Sequence, residues 1–127
     1  MKKILIVDDE VNNRLLLEEI LEDFKEKEVE IFLAKNGKQA LNIIISEKPN
    51  LVFLDIMMPT LNGYEVCNIV KRDLKLLNIY IVLLTAKGRE DDKHRGSQVM
   101  CDKYITKPFY FNEVLAIAEN VLGIKIQ

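Results

Sequence analysis

Short apolar runs alternate along this chain with longer stretches in which apolar residues recur every three or four positions. The short runs fall at residues 3–7, 30–34, 51–54, 80–84 and 103–105. Ile4-Leu5-Ile6-Val7 and Ile81-Val82-Leu83-Leu84 are apolar at every position, so strands formed there need cover on both faces. Residues 11–27 place Leu17, Ile20, Leu21 and Phe24 at i, i+3, i+4 and i+7, a single apolar stripe. Glu18, Glu19, Glu22 and Asp23 occupy the other face. Residues 37–48 carry Ala40, Leu41, Ile44 and Ile45 and stop before Pro49, as a helix should. Residues 63–73 and 111–122 read as helices too, the last closing at Gly123. A segment at 87–98 has no aliphatic or aromatic residue and contains Gly88 and Gly96. As a fourth helix it has little apolar burial to hold it, and low local stability is expected there. Strands and helices in strict alternation imply an α/β fold, an open parallel sheet with right-handed crossovers.

Composition narrows the function more than the fold. A chain of 127 residues suits one compact domain, so a single domain over 1–127 is expected. The net charge of −2 points to no nucleic-acid or membrane surface. The two cysteines, Cys67 and Cys101, form no CxxC pair and no zinc spacing, so reduced thiols in a cytoplasmic protein are expected. The N-terminal apolar run ends after four residues in Asp8-Asp9-Glu10, unlike a signal peptide, and no stretch approaches a membrane span. His94 lies among Asp91, Asp92, Lys93 and Arg95, a solvated charge cluster, and reads as a surface histidine.

The candidate chemistry lies where the strands end. Ligand sites of open α/β sheets sit beyond the carboxyl ends of the strands. Strand one is followed by Asp8 and Asp9, strand three by Asp55, strand four by Thr85, and strand five by Lys107 and Pro108. Three converging carboxylates repel one another, and a divalent cation relieves that repulsion; a small set of oxygen ligands suits Mg²⁺. With a lysine and a hydroxyl beside them, they make a site for phosphoryl transfer to a carboxylate. Each element alone has a plainer reading. Acids at a helix start complement the dipole, and an aspartate at a strand end often shapes a turn. The weight lies in their ending successive strands of one small sheet.

In order and spacing these residues resemble the response-regulator receiver domain of two-component signalling, in its compact, chemotaxis-regulator-like form. The resemblance runs from Lys3 to Leu122. It rests on Ile4-Leu5-Ile6-Val7-Asp8-Asp9-Glu10, on Leu54-Asp55-Ile56-Met57-Met58-Pro59-Thr60-Leu61-Asn62-Gly63, on Leu84-Thr85-Ala86 and on Tyr104-Ile105-Thr106-Lys107-Pro108-Phe109. It implies a three-layer, flavodoxin-like (βα)5 fold with a five-stranded parallel sheet of order 2-1-3-4-5. It implies Asp55 as phosphoacceptor, and Asp8, Asp9, Asp55 and the backbone carbonyl of Met57 as Mg²⁺ ligands. Thr85 and Tyr104 would be the switch pair, and Lys107 the partner of the phosphoryl group, with a cis bond to Pro108. The donor would be a sensor histidine kinase, a phosphotransfer protein or a small acyl phosphate. The protein would catalyse only its own phosphorylation and dephosphorylation, without turnover of another substrate. Its output would be a protein-interaction surface on the fourth helix, fifth strand and fifth helix, for a downstream target or a homodimer.

Several positions depart from the family's common pattern. Met100 and Cys101 replace the usual Gly-Ala, Tyr80 opens strand four, and Tyr110 stands where a small polar helix cap is usual. Phe109, Tyr110 and Phe111 are consecutive aromatics that cannot all be buried, and read as a hydrophobic staple or a partner contact. Met57 and Lys87 flank the site, and an apolar Met57 is expected to lengthen the life of an acyl phosphate. An aspartyl phosphatase would need a general acid at position 57, and nucleotide binding would need a glycine-rich phosphate loop; neither is present.

Overall fold

The computed structural model describes residues 1–86 and 101–126. The expected helix at 87–98, with His94, Lys87 and Met100, lies outside the described residues. Strands β1 (Lys2–Val7), β2 (Val29–Ala34), β3 (Leu51–Asp55), β4 (Tyr80–Thr85) and β5 (Lys103–Thr106) form one parallel sheet of order β2-β1-β3-β4-β5. Helices α1 (Val11–Ile20), α2 (Gly37–Glu47), α3 (Gly63–Asn68) and a C-terminal helix (Phe111–Leu122) complete the described regular elements, with two short helical continuations.

Alternation along the strands divides the core into two. Ile4, Ile6, Leu51, Phe53, Val82, Leu84 and Ile105 face α1 and the C-terminal helix, packing with Leu17, Leu21, Phe24 and Val114. Leu5, Val7, Val52, Leu54, Ile81 and Leu83 face the other way, against Ala40 and Ile44 of α2 and Val66 and Cys67 of α3. Apolar residues on both faces of every central strand are thus explained by three layers. Among the described residues, no helix is long and apolar enough to cross a membrane.

Two helices differ from the expected form. The stripe at 11–27 is one apolar surface but not one α-helix. After Leu21 the chain tightens into a 3₁₀ turn, Glu22–Lys27, and stops at Glu28 in the left-handed conformation (φ 62°). Glu22, Asp23 and Glu26 would sit at the negative end of a continuous α-helix, where acids are disfavoured. Phe24 remains fully buried, so the tighter winding keeps the stripe intact. Helix α3 widens instead, continuing as π-helix over Ile69–Asp73. Lys71 lies in this wide turn and is only 4% exposed. The other ends follow their local chemistry. Asn36 caps α2 by accepting from the Gln39 amide (2.8 Å). Asn62 and Glu65 form a reciprocal capping box at the start of α3. Gly123 ends the C-terminal helix at φ 68°.

Candidate functional site

Strand register assembles the site. Val7 pairs with Leu54, so the next residues, Asp8 and Asp55, leave neighbouring strands at the same level. Asp55 pairs with Leu84, which places Thr85 one step beyond it. Thr85 pairs with Thr106, and Lys107 follows, its amide donating to the Thr85 carbonyl at 2.8 Å. Asp9 continues from Asp8 into the loop before α1. The structure therefore brings Asp8, Asp9, Asp55, Thr85 and Lys107 to one edge of the sheet.

Carboxylate oxygens of Asp8, Asp9 and Asp55 lie within 4.8 Å of one another. Asp8 is fully buried, Asp55 is 3% exposed, Thr85 is buried, and Asp9 is exposed. Among the described residues, Lys107 answers these charges: its Nζ lies 3.0 Å from Asp55 Oδ1 and 3.3 Å from Asp8 Oδ2. The first contact is a hydrogen bond. The second has the distance of an ion pair without hydrogen-bond geometry, so among the described residues Asp8 Oδ2 is buried with an ion-pair contact but no hydrogen-bond partner. Burial first, and the Asp8 charge second, push the Asp55 carboxyl up to about 7 against the pull of Lys107. Lys107 is raised as well, but against the effect of burial. Burial lowers its pKa, but the charges of Asp55 and Asp8 outweigh that and hold it above the usual lysine value.

An orphaned buried oxygen, three hard oxygen donors and surplus negative charge fit a small divalent cation such as Mg²⁺. One such ion would satisfy Asp8 Oδ2 and relieve the repulsion that raises Asp55.

The surroundings are tightly built. A Cβ on Gly63 would lie 2.5 Å from the Asp55 carbonyl oxygen and 2.8 Å from Ile56 Cα. Only a glycine lets α3 begin so close beneath the end of β3. The Gly63 amide donates to the Ile56 carbonyl at 2.9 Å, tying the loop back to the strand. Met57, two residues after Asp55 in the chain, is 53% exposed. Tyr104 is half-buried against the α2–α3 face of the core. The Lys107–Pro108 peptide is cis, as expected.

The aromatic run resolves into two roles. Phe109 packs against the core cluster that contains Val114, the arrangement of a staple over the helix entry. Tyr110 caps the helix without a side-chain hydrogen bond, and it and Phe111 stay exposed at 67% and 50%. Both cysteines are free thiols, and burial pushes Cys67 up to about 12.

Two arrangements escaped the sequence reading. Arg14 donates from Nη1 to the Asp8 carbonyl at 2.7 Å. Lys71 pairs with Asp102 at 2.9 Å and donates to the carbonyl of Ile79. The signal for Lys71 was present: it follows Cys67 by four residues and so shares the apolar face of its helix. Nothing in the pattern marks Arg14.

Known proteins resemble this chain over most of its length. The family described as "Response regulator receiver domain" matches residues 4–119. The phosphate regulon transcriptional regulatory protein PhoB of Pseudomonas aeruginosa is 43% identical over 121 residues, 95% of this chain and 52% of that protein. The alkaline phosphatase synthesis transcriptional regulatory protein PhoP of Bacillus subtilis is 40% identical over 121 residues, 95% of this chain and 48% of that protein. Among solved structures, the signal receiver domain of a signal transduction histidine kinase from Syntrophus aciditrophicus superposes with a TM-score of 0.84 at 29% identity, covering 100% of this chain and 95% of that one. The chain spans about half the length of the curated relatives it matches.

Proposed function

The chain belongs to the response regulator receiver domain family, and from that premise we propose that Asp55 accepts a phosphoryl group at a Mg²⁺ site held by Asp8, Asp9, Asp55 and the Met57 carbonyl. The observation that carries this reading is the state of Asp55: buried, crowded by Asp8, and in contact with Lys107. A carboxylate in that position is poorly solvated and gains from any positive charge brought to it. A divalent cation held by Asp8, Asp9, Asp55 and the Met57 carbonyl would supply that charge and would offset the negative charge of the phosphoryl oxygens.

The chain's own residues then divide the work. An Asp55 carboxylate oxygen forms the new bond to phosphorus while the bond to the donor nitrogen of a phosphohistidine breaks, leaving the imidazole to take up a proton. Lys107 is placed to pair with a phosphoryl oxygen once Asp55 is esterified. Thr85, one residue beyond the partner of Asp55, is placed to donate its hydroxyl to another. Its movement would couple to Tyr104, and through it to β5 and the C-terminal helix, where a downstream protein or a second copy of the chain would bind. The part of this surface assigned to the fourth helix falls on residues outside those described. We read residues 1–127 as one receiver domain, cytoplasmic, with no nucleic-acid contact of its own and no turnover beyond its own phosphorylation and dephosphorylation. A sensor histidine kinase or a phosphotransfer protein would be the donor. An apolar Met57 side chain two residues beyond the acceptor would hinder an attacking water and lengthen the life of the acyl phosphate; Met57→Asn should shorten its half-life.

Intact mass after incubation with acetyl phosphate tests the proposal. A phosphoryl adduct is expected that requires Mg²⁺ and is absent from Asp55→Asn. No adduct at any Mg²⁺ concentration, from acetyl phosphate or from a phosphohistidine donor, would overturn it.

A further inference from the structure

Asp8 is anchored at three of its polar groups. Its amide donates to the Ala34 carbonyl at 3.2 Å. Its Oδ1 accepts from the Glu10 amide at 3.0 Å. Its backbone carbonyl accepts from Arg14 Nη1 at 2.7 Å. The first two bonds follow from the strand and from the turn into α1. The third spends a formal positive charge on a neutral acceptor, which calls for explanation.

Arg14 sits one turn into α1 and is half-buried. Acidic side chains surround it in sequence: Asp8, Asp9, Glu10 and Glu18. A guanidinium so placed has every opportunity for a bidentate pair with a carboxylate, its strongest kind of contact. None of the described ion pairs includes Arg14. Its hydrogen-bond partner is a backbone oxygen, so Arg14 leaves the Asp8 and Asp9 carboxylates, which lie within 4.8 Å of that of Asp55, unneutralised by its own charge. The consequence is geometric. A peptide unit is planar, so holding the Asp8 carbonyl also fixes the direction of the Asp9 amide and Cα. Asp9 is exposed, and its carboxylate takes its aim from the backbone beneath it.

We propose that Arg14 is a positioning residue for the divalent cation: by gripping the Asp8 carbonyl it orients the Asp8–Asp9 peptide, and with it both carboxylates, toward Asp55. This rests on the metal site proposed above. Such supporting contacts typically change metal affinity by about 10–100-fold when removed. Electrostatics alone predicts the reverse, since deleting a cation near a cation site should tighten binding. The two accounts therefore differ in sign.

The experiment is Mg²⁺ titration by calorimetry, without any phosphodonor, on the full chain and on Arg14→Met and Arg14→Lys. Thermal melts in EDTA report folding separately. Met keeps the apolar stem and removes both charge and donors; Lys keeps the charge and one donor. The expected result is Mg²⁺ affinity about tenfold weaker in Arg14→Met, with Arg14→Lys in between. Affinity in folded Arg14→Met equal to or tighter than wild type would overturn the proposal while leaving the metal site standing. If Arg14→Met does not fold, Arg14→Lys decides: affinity several-fold below wild type supports the proposal, and unchanged affinity overturns it. A wild-type chain that binds no Mg²⁺ would overturn the metal site itself, and this role with it.

Discussion

The two ends of the sheet each hold a lysine against aspartate, and they solve the problem of buried charge in opposite ways. At the amino edge, Lys71 is 4% exposed, paired with Asp102 at 2.9 Å and bonded to the Ile79 carbonyl. Asp102 Oδ2 also accepts from the Ile81 amide at 2.7 Å. Among the described residues the cation there is matched by one anion, and the backbone groups of Ile79 and Ile81 add hydrogen bonds to the pair. At the carboxyl edge, Lys107 faces Asp8 and Asp55 with Asp9 close by, one buried oxygen lacks a hydrogen bond, and Asp55 is pushed up to about 7. The satisfied pair joins elements together. The unsatisfied cluster is costly to the folded protein, and a cost left standing at the ligand edge of an α/β sheet marks a site that ligand is meant to complete. Helix α3 reaches both: Gly63 lies under Asp55, and its π continuation carries Lys71.

Asp55→Asn separates the two ends most sharply. It should abolish the phosphoryl adduct and at the same time stabilise the metal-free protein. A carboxyl whose folded pKa lies near 7, against 3.8 for the isolated group, stays protonated in the fold while the unfolded chain has ionised. Its contribution to stability is therefore complete below pH 4 and lost as pH rises through 7. The stability gap between Asp55→Asn and wild type should open over that window to at most about 4 kcal/mol, and Mg²⁺ should narrow it. Urea denaturation in EDTA at several pH values reads this directly; a gap that does not vary with pH would contradict it.

Breaking the opposite pair should do the reverse. Asp102→Ala leaves the Lys71 ammonium buried and should cost on the order of 2–3 kcal/mol, less than a fully buried pair because Asp102 retains some exposure. Mg²⁺ affinity should be unchanged, and a fall in it would show that the two ends are not independent. Gly63→Ala should cost about 1–3 kcal/mol through the clash with the Asp55 carbonyl, and should slow phosphorylation as well, since that backbone carries the acceptor. Tyr110→Ser lies at the small end: with the ring exposed, stability should move by less than about 0.5 kcal/mol. Any larger effect would assign the ring to the staple rather than to partner contact.

How much of this the sequence disclosed follows the range of the interaction. Strands announced themselves because both faces are covered, so apolar runs such as Ile81-Val82-Leu83-Leu84 have no rival reading as loops. That Asp8, Asp9, Asp55, Thr85 and Lys107 converge was legible because strand ends are, and register does the rest. The break after Leu21 was not, since the apolar stripe keeps its spacing whether the last turn is α or 3₁₀, and only the acids near it argue against an α-helix. The burial of Lys71 could be read from its place on the apolar helix face, but the contacts of Lys71 and Arg14 could not. Their partners are Asp102 and the Asp8 carbonyl, the first distant along the chain and the second a backbone atom that no pattern of side chains can reveal. The close approach that requires Gly63 is hidden in the same way, because glycine before a helix is ordinary and only the strand above it makes it necessary.

The most direct test of the account is a pH titration of the Asp55 carboxyl carbon by NMR, with and without Mg²⁺. The metal-free protein should titrate near 7, and saturating Mg²⁺ should pull the midpoint down toward or below the ordinary carboxylate range. A midpoint near 4 that Mg²⁺ leaves in place would contradict the claim that this edge of the sheet is a charge cluster held open for a cation.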